Sequence, residues 1–295
     1  MAGTPPRSTD RMLVGLIGRD IGGSLSPALH EDAFAVVGMA GHYHLMDAAV
    51  LGRGLEELLA AARTAGFGGV NVTFPFKERV IALLDSVSPE AAEIGAVNTV
   101  TIDRDGRTCG YNTDRLGFRG AFRQRFGPDA AQGRRALLVG AGGAGRAVAF
   151  ALMDLGVAAL ALHDVDGPRA ERLCADLSRT AGSGRCRPVE DPASLLGEAD
   201  IVVNATPIGM TGHEGLPMPT AGLAARHVVA DVIYSPLETA FLAAARATGA
   251  RTMGGAGMCV HQAAEAFRLF TGRDADLARM EETFAAAARR RDRAA

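Results

Sequence analysis

Several clusters of polar side chains interrupt an otherwise apolar chain, and each combines groups that a protein core does not accept alone. Ser24-Leu25-Ser26-Pro27 places two hydroxyls at what reads as a helix start, with Ser26 as the N-cap and proline at the first helical position. Capping accounts for Ser26 but not for Ser24, so the pair is also a candidate carboxylate cradle. Asn71-Val72-Thr73-Phe74-Pro75-Phe76-Lys77 ends an apolar run with amide, hydroxyl and ammonium groups. A lysine after a buried strand is a candidate for chemistry, although an exposed loop lysine is the commoner case. Asn98-Thr99 and Asn112-Thr113-Asp114 form two short polar turns flanking a candidate hairpin. Asp114 also suits the cap of the helix that follows it, and capping and chemistry are compatible there.

A second kind of chemistry is written at Gly140-Ala141-Gly142-Gly143-Ala144-Gly145, which follows the apolar run 136–139 and leads into a helix expected over 146–155. Strand, glycine turn and helix in that order present backbone N–H groups and a helix N-terminus to a pyrophosphate. Gly140 suits the tight turn, Gly142 the approach of phosphate, and Gly145 the packing of helix on strand. The next expected strand ends at His163-Asp164-Val165-Asp166, with Asp164 nineteen residues beyond Gly145. A carboxylate there accepts from the two ribose hydroxyls of NAD and repels the extra phosphate of NADP. Arg169, on the helix that follows, reads as a solvated surface charge.

The elements that must position these groups are short apolar runs bounded by Gly, Asp or Asn at 13–17, 69–72, 136–139, 160–162, 201–203 and 228–232, the pattern of buried parallel strands. Helical spacing lies between them, as in Leu55, Leu58, Leu59 and Ala62. Alternating strands and helices make the chain α/β. A boundary falls near 112–115, before a helix expected over 116–126. A glycine-rich joint at 254–257 precedes a helix with Val260, Ala263, Ala264, Phe267 and Phe270 on one stripe. The expected organisation is a substrate-binding α/β domain over 11–115, a Rossmann domain with a doubly wound parallel sheet over 116–257, and 258–290 packing back on the first domain. The glycines at 254, 255 and 257 suggest a hinge for domain closure.

Composition narrows the partners. The 295 residues carry 31 Lys+Arg against 33 Asp+Glu, a formal net charge of −2, with no basic face, which argues against nucleic acid and anionic membranes. No run approaches a membrane span, and the polar segment 1–10 lacks the apolar core of a secretory signal. Cytoplasmic localisation is expected. Cys109, Cys174, Cys186 and Cys259 stand far apart without metal-binding spacing and read as buried thiols in a reducing compartment; no metal is expected. The arginine-rich end, 289–295, reads as a frayed, solvated tail. Monomer and homodimer are both compatible with the sequence.

Taken together, the clusters at Ser24–Pro27, Asn71–Lys77, Asn98-Thr99, Asn112–Asp114 and Gly140–Gly145 occur in one order with Asn204-Ala205-Thr206-Pro207-Ile208-Gly209-Met210, Asp231–Tyr234 and Met258–Gln262. In that order and over nearly the whole chain, they resemble the shikimate/quinate dehydrogenase family. The resemblance implies a small cyclic polyol acid as substrate, bound in a cleft between a substrate domain and a cofactor domain, and a place in the chorismate pathway of aromatic amino acid biosynthesis. It implies that Ser24, Ser26 and Tyr234 hold the carboxylate, that Thr73, Lys77, Asn98, Asp114 and Gln262 engage ring hydroxyls, and that Lys77 and Asp114 are the catalytic pair. Asn204, Thr206, Ile233, Gly255 and Met258 match positions lining the dinucleotide.

Alcohol oxidation makes sense of those types, because hydride leaves carbon while the hydroxyl proton needs an acceptor in contact. Lys77 is that acceptor; its ordinary pKa of about 10.4 keeps it protonated at neutral pH, so desolvation or a nearby cation has to favour the free amine. Asp114 pulls the other way and orients it. Relatives using NADP commonly carry Asn-Arg-Thr where this chain has Asp164-Val165-Asp166, so the resemblance points to the NAD-using branch. Members of that branch often accept quinate as well as shikimate. Serine at position 26, where quinate enzymes often carry threonine, leans towards shikimate; quinate and an aminated ring analogue remain open. A non-catalytic dinucleotide-binding sensor of these acids is the reading of another class. Such a sensor should have lost Lys77 or Asp114, and both are present.

Overall fold

A computed structural model of the chain describes residues 11–180, 182 and 184–294, the side chains of 292–294 excepted. The polar segment 1–10 and Ala295 lie outside the described residues. The chain divides into two compact units. Among the described residues, one comprises 11–92, Ala96–Thr113 and 263–294; the other comprises Glu93–Gly95 and Asp114–Gln262. The joints thus fall at Asp114 and Ala263, against 116 and 258 expected from the sequence.

The first unit is built on β1 (Arg11–Gly18), β2 (Ala40–Asp47), β3 (Gly69–Val72), β4 (Ser86–Val87), β5 (Thr99–Ile102) and β6 (Thr108–Tyr111), in the sheet order β2-β1-β3-β5-β6-β4. Strands β1, β2 and β3 are parallel, whereas β5 runs antiparallel to both β3 and β6, so the suspected hairpin is β5–β6. Strand β2, AGHYHLMD, has the polar composition of an edge strand and gave no apolar run to read. Helices α1 (Ser26–Val36), α2 (Ala48–Leu51), α3 (Leu55–Thr64) and α4 (Pro89–Ile94) alternate with these strands. The buried side chains of α3 are Leu55, Leu58, Leu59 and Ala62, the stripe expected from spacing.

Helix α5 (Thr113–Phe126) starts three residues before the expected 116. The second unit's strands are β7 (Arg135–Val139), β8 (Ala159–His163), β9 (Cys186–Pro188), β10 (Ile201–Asn204), β11 (Val228–Asp231) and β12 (Arg251–Met253). They form an all-parallel sheet in the order β12-β11-β10-β7-β8-β9, the Rossmann order with β7 as first strand. Helices α6 (Gly143–Asp154), α7 (Gly167–Thr180) and α8 (Ala240–Ala247) connect them. Helix α6 starts at the glycine turn rather than at 146, because Gly142 is its N-cap.

The glycines at 254–257 do not form a loose joint: α9 (Gly255–Thr271) begins within them. A Cβ on Gly255 would lie 2.1 Å from the Val232 carbonyl oxygen, and one on Gly257 3.1 Å from the Ala121 Cβ. Small residues are needed there for close packing, which accounts for Gly255 and Gly257 without invoking a hinge. Within α9 the buried stripe is Val260, Ala263, Ala266, Phe267 and Phe270, with Ala264 only half-buried.

Helix α10 (Leu277–Ala294) continues through the arginine-rich end, which is therefore helical rather than frayed as far as residue 294. It lies on α1, where Asp32 takes a bidentate pair from Arg279 at 2.8 and 2.9 Å and a bond from Thr283. The cysteines also depart from expectation. The chain returning from α7 to β9 brings Cys186 back beside Cys174, with Cα atoms 5.2 Å apart, and the two form a disulfide. Cys109 and Cys259 are not disulfide-bonded, and only the latter is buried. Among the described residues no helix is long and apolar enough to cross a membrane.

His30, on α1, is the one buried side chain among the described residues whose polar atoms lack hydrogen-bond partners. It stacks on Tyr43 at 4.7 Å between ring centroids and faces Phe267 and Phe270. Burial lowers its pKa from 6.5 to about 3. The folded state therefore refuses a proton that the unfolded chain accepts below pH 6.5, so this site lowers stability as pH falls from there towards 3. The loss amounts to about 2 kcal/mol by pH 5. Denaturation midpoints of wild type and His30→Phe at pH 7 and pH 5 check this. The variant should lose less stability on acidification than wild type, and an equal loss would contradict the assignment.

Candidate active site

In the first unit the candidate residues stand in the turns beyond the parallel strands β1 and β3 and, for Asn98, just before the antiparallel strand β5. After β1 the chain passes through Ile21–Ser24 into α1. Ser26 is the first residue of α1 rather than its cap; Leu25 caps the helix without a side-chain bond, and proline follows Ser26 as expected. The Ser24 and Ser26 hydroxyls lie 3.2 Å apart, both half-buried, and the Ser26 N–H donates to Ser24 Oγ at 3.3 Å. Two rotatable hydroxyls beside the first turn of a helix suit one carboxylate.

Asp47, at the end of β2, holds that loop in place. Its buried carboxylate accepts from the N–H groups of Asp20 (3.0 Å), Ile21 (2.8 Å) and Ala49 (2.9 Å). Burial pushes its pKa up, but backbone bonds from Ile21, Ala49, Asp20 and Val50 outweigh burial and hold it below the ordinary carboxylate value. Sequence reasoning missed Asp47 because its partners lie 26 and 27 residues away across a parallel strand pair.

Past β3, the Thr73 N–H donates to Ile17 O at 2.9 Å and the Phe76 N–H to Thr73 O at 2.9 Å, which fixes the turn leading to Lys77. Lys77 is half-buried, and its carbonyl accepts from Val97 N–H at 2.8 Å. It therefore sits five residues beyond the end of β3, beside the start of β5, rather than on the strand itself. Asn98 is buried with 3 % exposure, and its carboxamide is bonded to Thr99 and Thr113. Asp114 is buried in the first turn of α5; the cap position expected for it is not where it lies. Thr113 belongs to the first unit and Asp114 to the second, together with Tyr234 and Gln262. Tyr234 and Gln262 are half-buried, and Gln262 Nε2 donates to the Cys259 carbonyl at 3.0 Å.

The second unit assembles the cofactor candidates. Gly140 has a φ of +104°, outside the reach of most side chains. A Cβ on Gly145 would sit 2.0 Å from Gly140 O, so α6 can approach the turn only through glycine. A Cβ on Gly142, by contrast, would meet nothing within 4 Å, which leaves open space where a phosphate has to approach. Gly142, Gly143 and Ala144 are half-buried, and no side chain caps the first turn of α6, so its N–H groups remain available to an anion.

Asp164 lies across this turn. Its Oδ2 accepts from Ala141 N–H at 2.7 Å and its Oδ1 from Asp166 N–H at 2.9 Å, leaving each oxygen a lone pair for a further donor. Two free acceptors fit a ribose with two hydroxyls. Arg169 is half-buried rather than fully solvated.

Asn204 has no exposure at all. Its Nδ2 donates to Ile208 O and Asp231 Oδ1, and its Oδ1 accepts from the Thr206 N–H and hydroxyl, so it shapes the 204–208 turn rather than reaching a ligand. Asp231, a residue without an assigned role in the sequence, accepts from Asn204, Ile233 N–H and Thr239 Oγ1. Burial raises its pKa against the pull of those bonds. Ile233 in turn accepts from Gly255 N–H at 3.0 Å, which locks the start of α9 to the end of β11. Met258 is buried, and a Cβ on Gly117 of α5 would lie 2.8 Å from its carbonyl oxygen, so α5 and α9 touch through glycine. The residues present thus fit a dinucleotide: a glycine turn with open space, an uncapped helix start and a carboxylate poised for ribose. Among the described residues no three His, Cys, Asp or Glu side chains converge as a metal site.

Comparison with known proteins agrees with this geometry. Residues 16–100 match the shikimate dehydrogenase substrate binding domain, and residues 255–283 match the shikimate 5'-dehydrogenase C-terminal domain. A quinate/shikimate dehydrogenase (NAD(+)) of Corynebacterium efficiens is 45% identical over 280 residues, covering 93% of this chain and 98% of the relative. A shikimate dehydrogenase (NADP(+)) of Streptomyces avermitilis is 48% identical over 276 residues, covering 92% and 94%. The solved quinate dehydrogenase of Corynebacterium glutamicum in complex with NAD superposes with a TM-score of 0.87 at 42% identity, covering 94% of this chain and 100% of that one. A substrate unit of mixed strands, a Rossmann unit with its glycine turn and full-length similarity converge on one conclusion: the chain is an oxidoreductase and belongs to the shikimate dehydrogenase family.

Proposed function

We propose that the chain is an NAD-dependent dehydrogenase that interconverts shikimate and 3-dehydroshikimate and also accepts quinate. The observation that carries the cofactor half is the Asp164 carboxylate, seated across the glycine turn with two acceptor positions free. The extra phosphate of NADP would bring like charge against it. Relatives named for NAD and relatives named for NADP both lie above 40% identity, so the identity of residue 164 weighs more than overall similarity.

On the substrate side, the Ser24 and Ser26 hydroxyls hold the carboxylate, with Tyr234 as a further donor. Thr73, Asn98, Asp114 and Gln262 engage the ring hydroxyls. When bound, the nicotinamide supplies the hydride acceptor. Lys77 takes the proton of the reacting hydroxyl and returns it in the reverse direction, while Asp114 orients the hydroxyls. The glycine turn, the first turn of α6 and Asp164 bind the dinucleotide, and Asn204 with Asp231 shape the loops around Thr206, Ile233, Gly255 and Met258.

The direct test follows NADH or NADPH formation with shikimate and with quinate. NADH formation with shikimate is expected to exceed both NADPH formation and turnover of quinate; absence of turnover with either acid would overturn the reading. Lys77→Ala should lower kcat by about 100-fold or more while KM moves much less, because proton transfer matters only in the transition state. A variant keeping most of its turnover would remove Lys77 from that role. Asp47→Asn withdraws the charge that fixes the loop before Ser24. It should raise KM for the acid by about 3-fold to 10-fold without changing KM for NAD, as loss of a charge-assisted bond predicts. Equal changes in both constants would point to general destabilisation.

A further inference from the structure

Buried amides at the ends of β3 and β5 form a chain whose direction can be worked out. Asn71 faces the backbone carbonyl of Asn98 at 3.2 Å, and a carbonyl only accepts, so the atom facing it is Nδ2. The same Nδ2 reaches Thr99 Oγ1 at 3.0 Å, which uses both of its hydrogens. Asn71 Oδ1 then faces Tyr43 Oη at 2.8 Å, so the tyrosine donates. The oxygen of Asn98 is identified from a second side: the Thr113 backbone N–H lies 2.8 Å from its Oδ1, and an N–H only donates.

Thr99 Oγ1, already an acceptor from Asn71, has its proton free for Asn98 Oδ1 at 3.1 Å. One hydrogen of Asn98 Nδ2 goes to Thr113 Oγ1 at 3.0 Å. The donors therefore run one way, from Tyr43 to Asn71, to Thr99, to Asn98. Bonds aligned head to tail polarise one another. Tyr43, Asn71, Asn98, Thr99 and Thr113 are all buried to 7 % exposure or less, so water does not compete within the chain. The second hydrogen of Asn98 Nδ2 has no acceptor among the described residues.

We propose that Tyr43, Asn71 and Thr99 are positioning residues that, together with the Thr113 backbone N–H, hold Asn98 in one amide orientation, so that it meets the substrate only as a hydrogen-bond donor. The ring substituent it faces must then accept, as a hydroxyl does and an ammonium does not. The inference rests on the reading of Asn98 as a substrate-binding residue and adds the polarity of that contact and the residues that enforce it.

The test uses the full-length enzyme with shikimate and NAD. Thr99→Val keeps the side-chain shape and removes the hydroxyl that bridges Asn71 to Asn98. It should lower kcat/KM for shikimate by about 5-fold to 30-fold, the range for one lost bond in a buried network, and leave KM for NAD unchanged. Thr99→Ser should restore kcat/KM to within about 3-fold of wild type. Tyr43→Phe, at the far end of the chain, should act in the same direction if Thr99→Val fails to fold. Adding Thr99→Val to Asn98→Ala should cost nothing beyond Asn98→Ala alone. If Asn98→Ala lowers kcat/KM while Thr99→Val and Tyr43→Phe lower only the melting temperature, the positioning role is overturned and the reading of Asn98 survives. If Asn98→Ala itself leaves kcat/KM unchanged, that reading falls and the inference falls with it.

Discussion

Polar side chains at the ends of buried strands must satisfy their hydrogen bonds inside the protein, and this constraint shapes both halves of the molecule. A buried amide or carboxylate left without a partner costs about 1 to 3 kcal/mol, enough to decide which loop conformation survives. In the first unit the requirement is met by Asn71, Asn98, Thr99 and Thr113 bonding to one another. In the second it is met by Asn204, Asp231 and Thr239, and by Asp164 closing on the Ala141 N–H. What is left over, a hydrogen of Asn98 Nδ2 in the first set and lone pairs of Asp164 in the second, has its orientation already fixed. Pre-oriented groups need no reorganisation when a ligand arrives, which is how a rigid scaffold gains selectivity.

Glycines supply the complementary constraint, close approach. Gly145 lets α6 press against the Gly140 carbonyl, and Gly255 lets α9 start against Val232. At both places the nearest atoms are backbone atoms, so only glycine allows the approach. Asp231 joins the two kinds of constraint, because it bonds Asn204 on β10 and the Ile233 N–H, and Ile233 bonds Gly255. The loops at the ends of β10 and β11 thus depend on a buried carboxylate whose pKa is raised by burial and opposed by its three donors. The network is complete only if all of those donors stay in place.

Much of this was legible in the sequence, and the reasons are physical. Strands buried on both faces, such as β3 and β10, announce themselves as short apolar runs, and the stripe on α3 follows from spacing alone. The glycine turn and the position of Asp164 beside it were readable because both are set within one β-turn-α-β unit. Strand β2 was not readable, because an edge strand carries polar residues such as His42 and His44. The supporting roles of Asp47, Asn71 and Asp231 depend on which strands lie side by side, and a sequence does not state strand order. The glycines near 254 suggest a hinge because glycine serves both mobility and close packing, and the packing role shows only in the distance to Val232. The pairing of Cys174 with Cys186 is not legible for a similar reason: their twelve-residue separation has meaning only once α7 and β9 fold back on each other.

The account stands most directly on the carboxylate at residue 164, and equilibrium binding tests it before any chemistry intervenes. Fluorescence titration of the wild-type enzyme with NADH and with NADPH, repeated on Asp164→Ser, measures what that carboxylate contributes. Wild type should bind NADH more tightly than NADPH by about tenfold or more, equivalent to about 1.4 kcal/mol, and Asp164→Ser should narrow the gap. Equal or tighter binding of NADPH by the wild-type enzyme would contradict it.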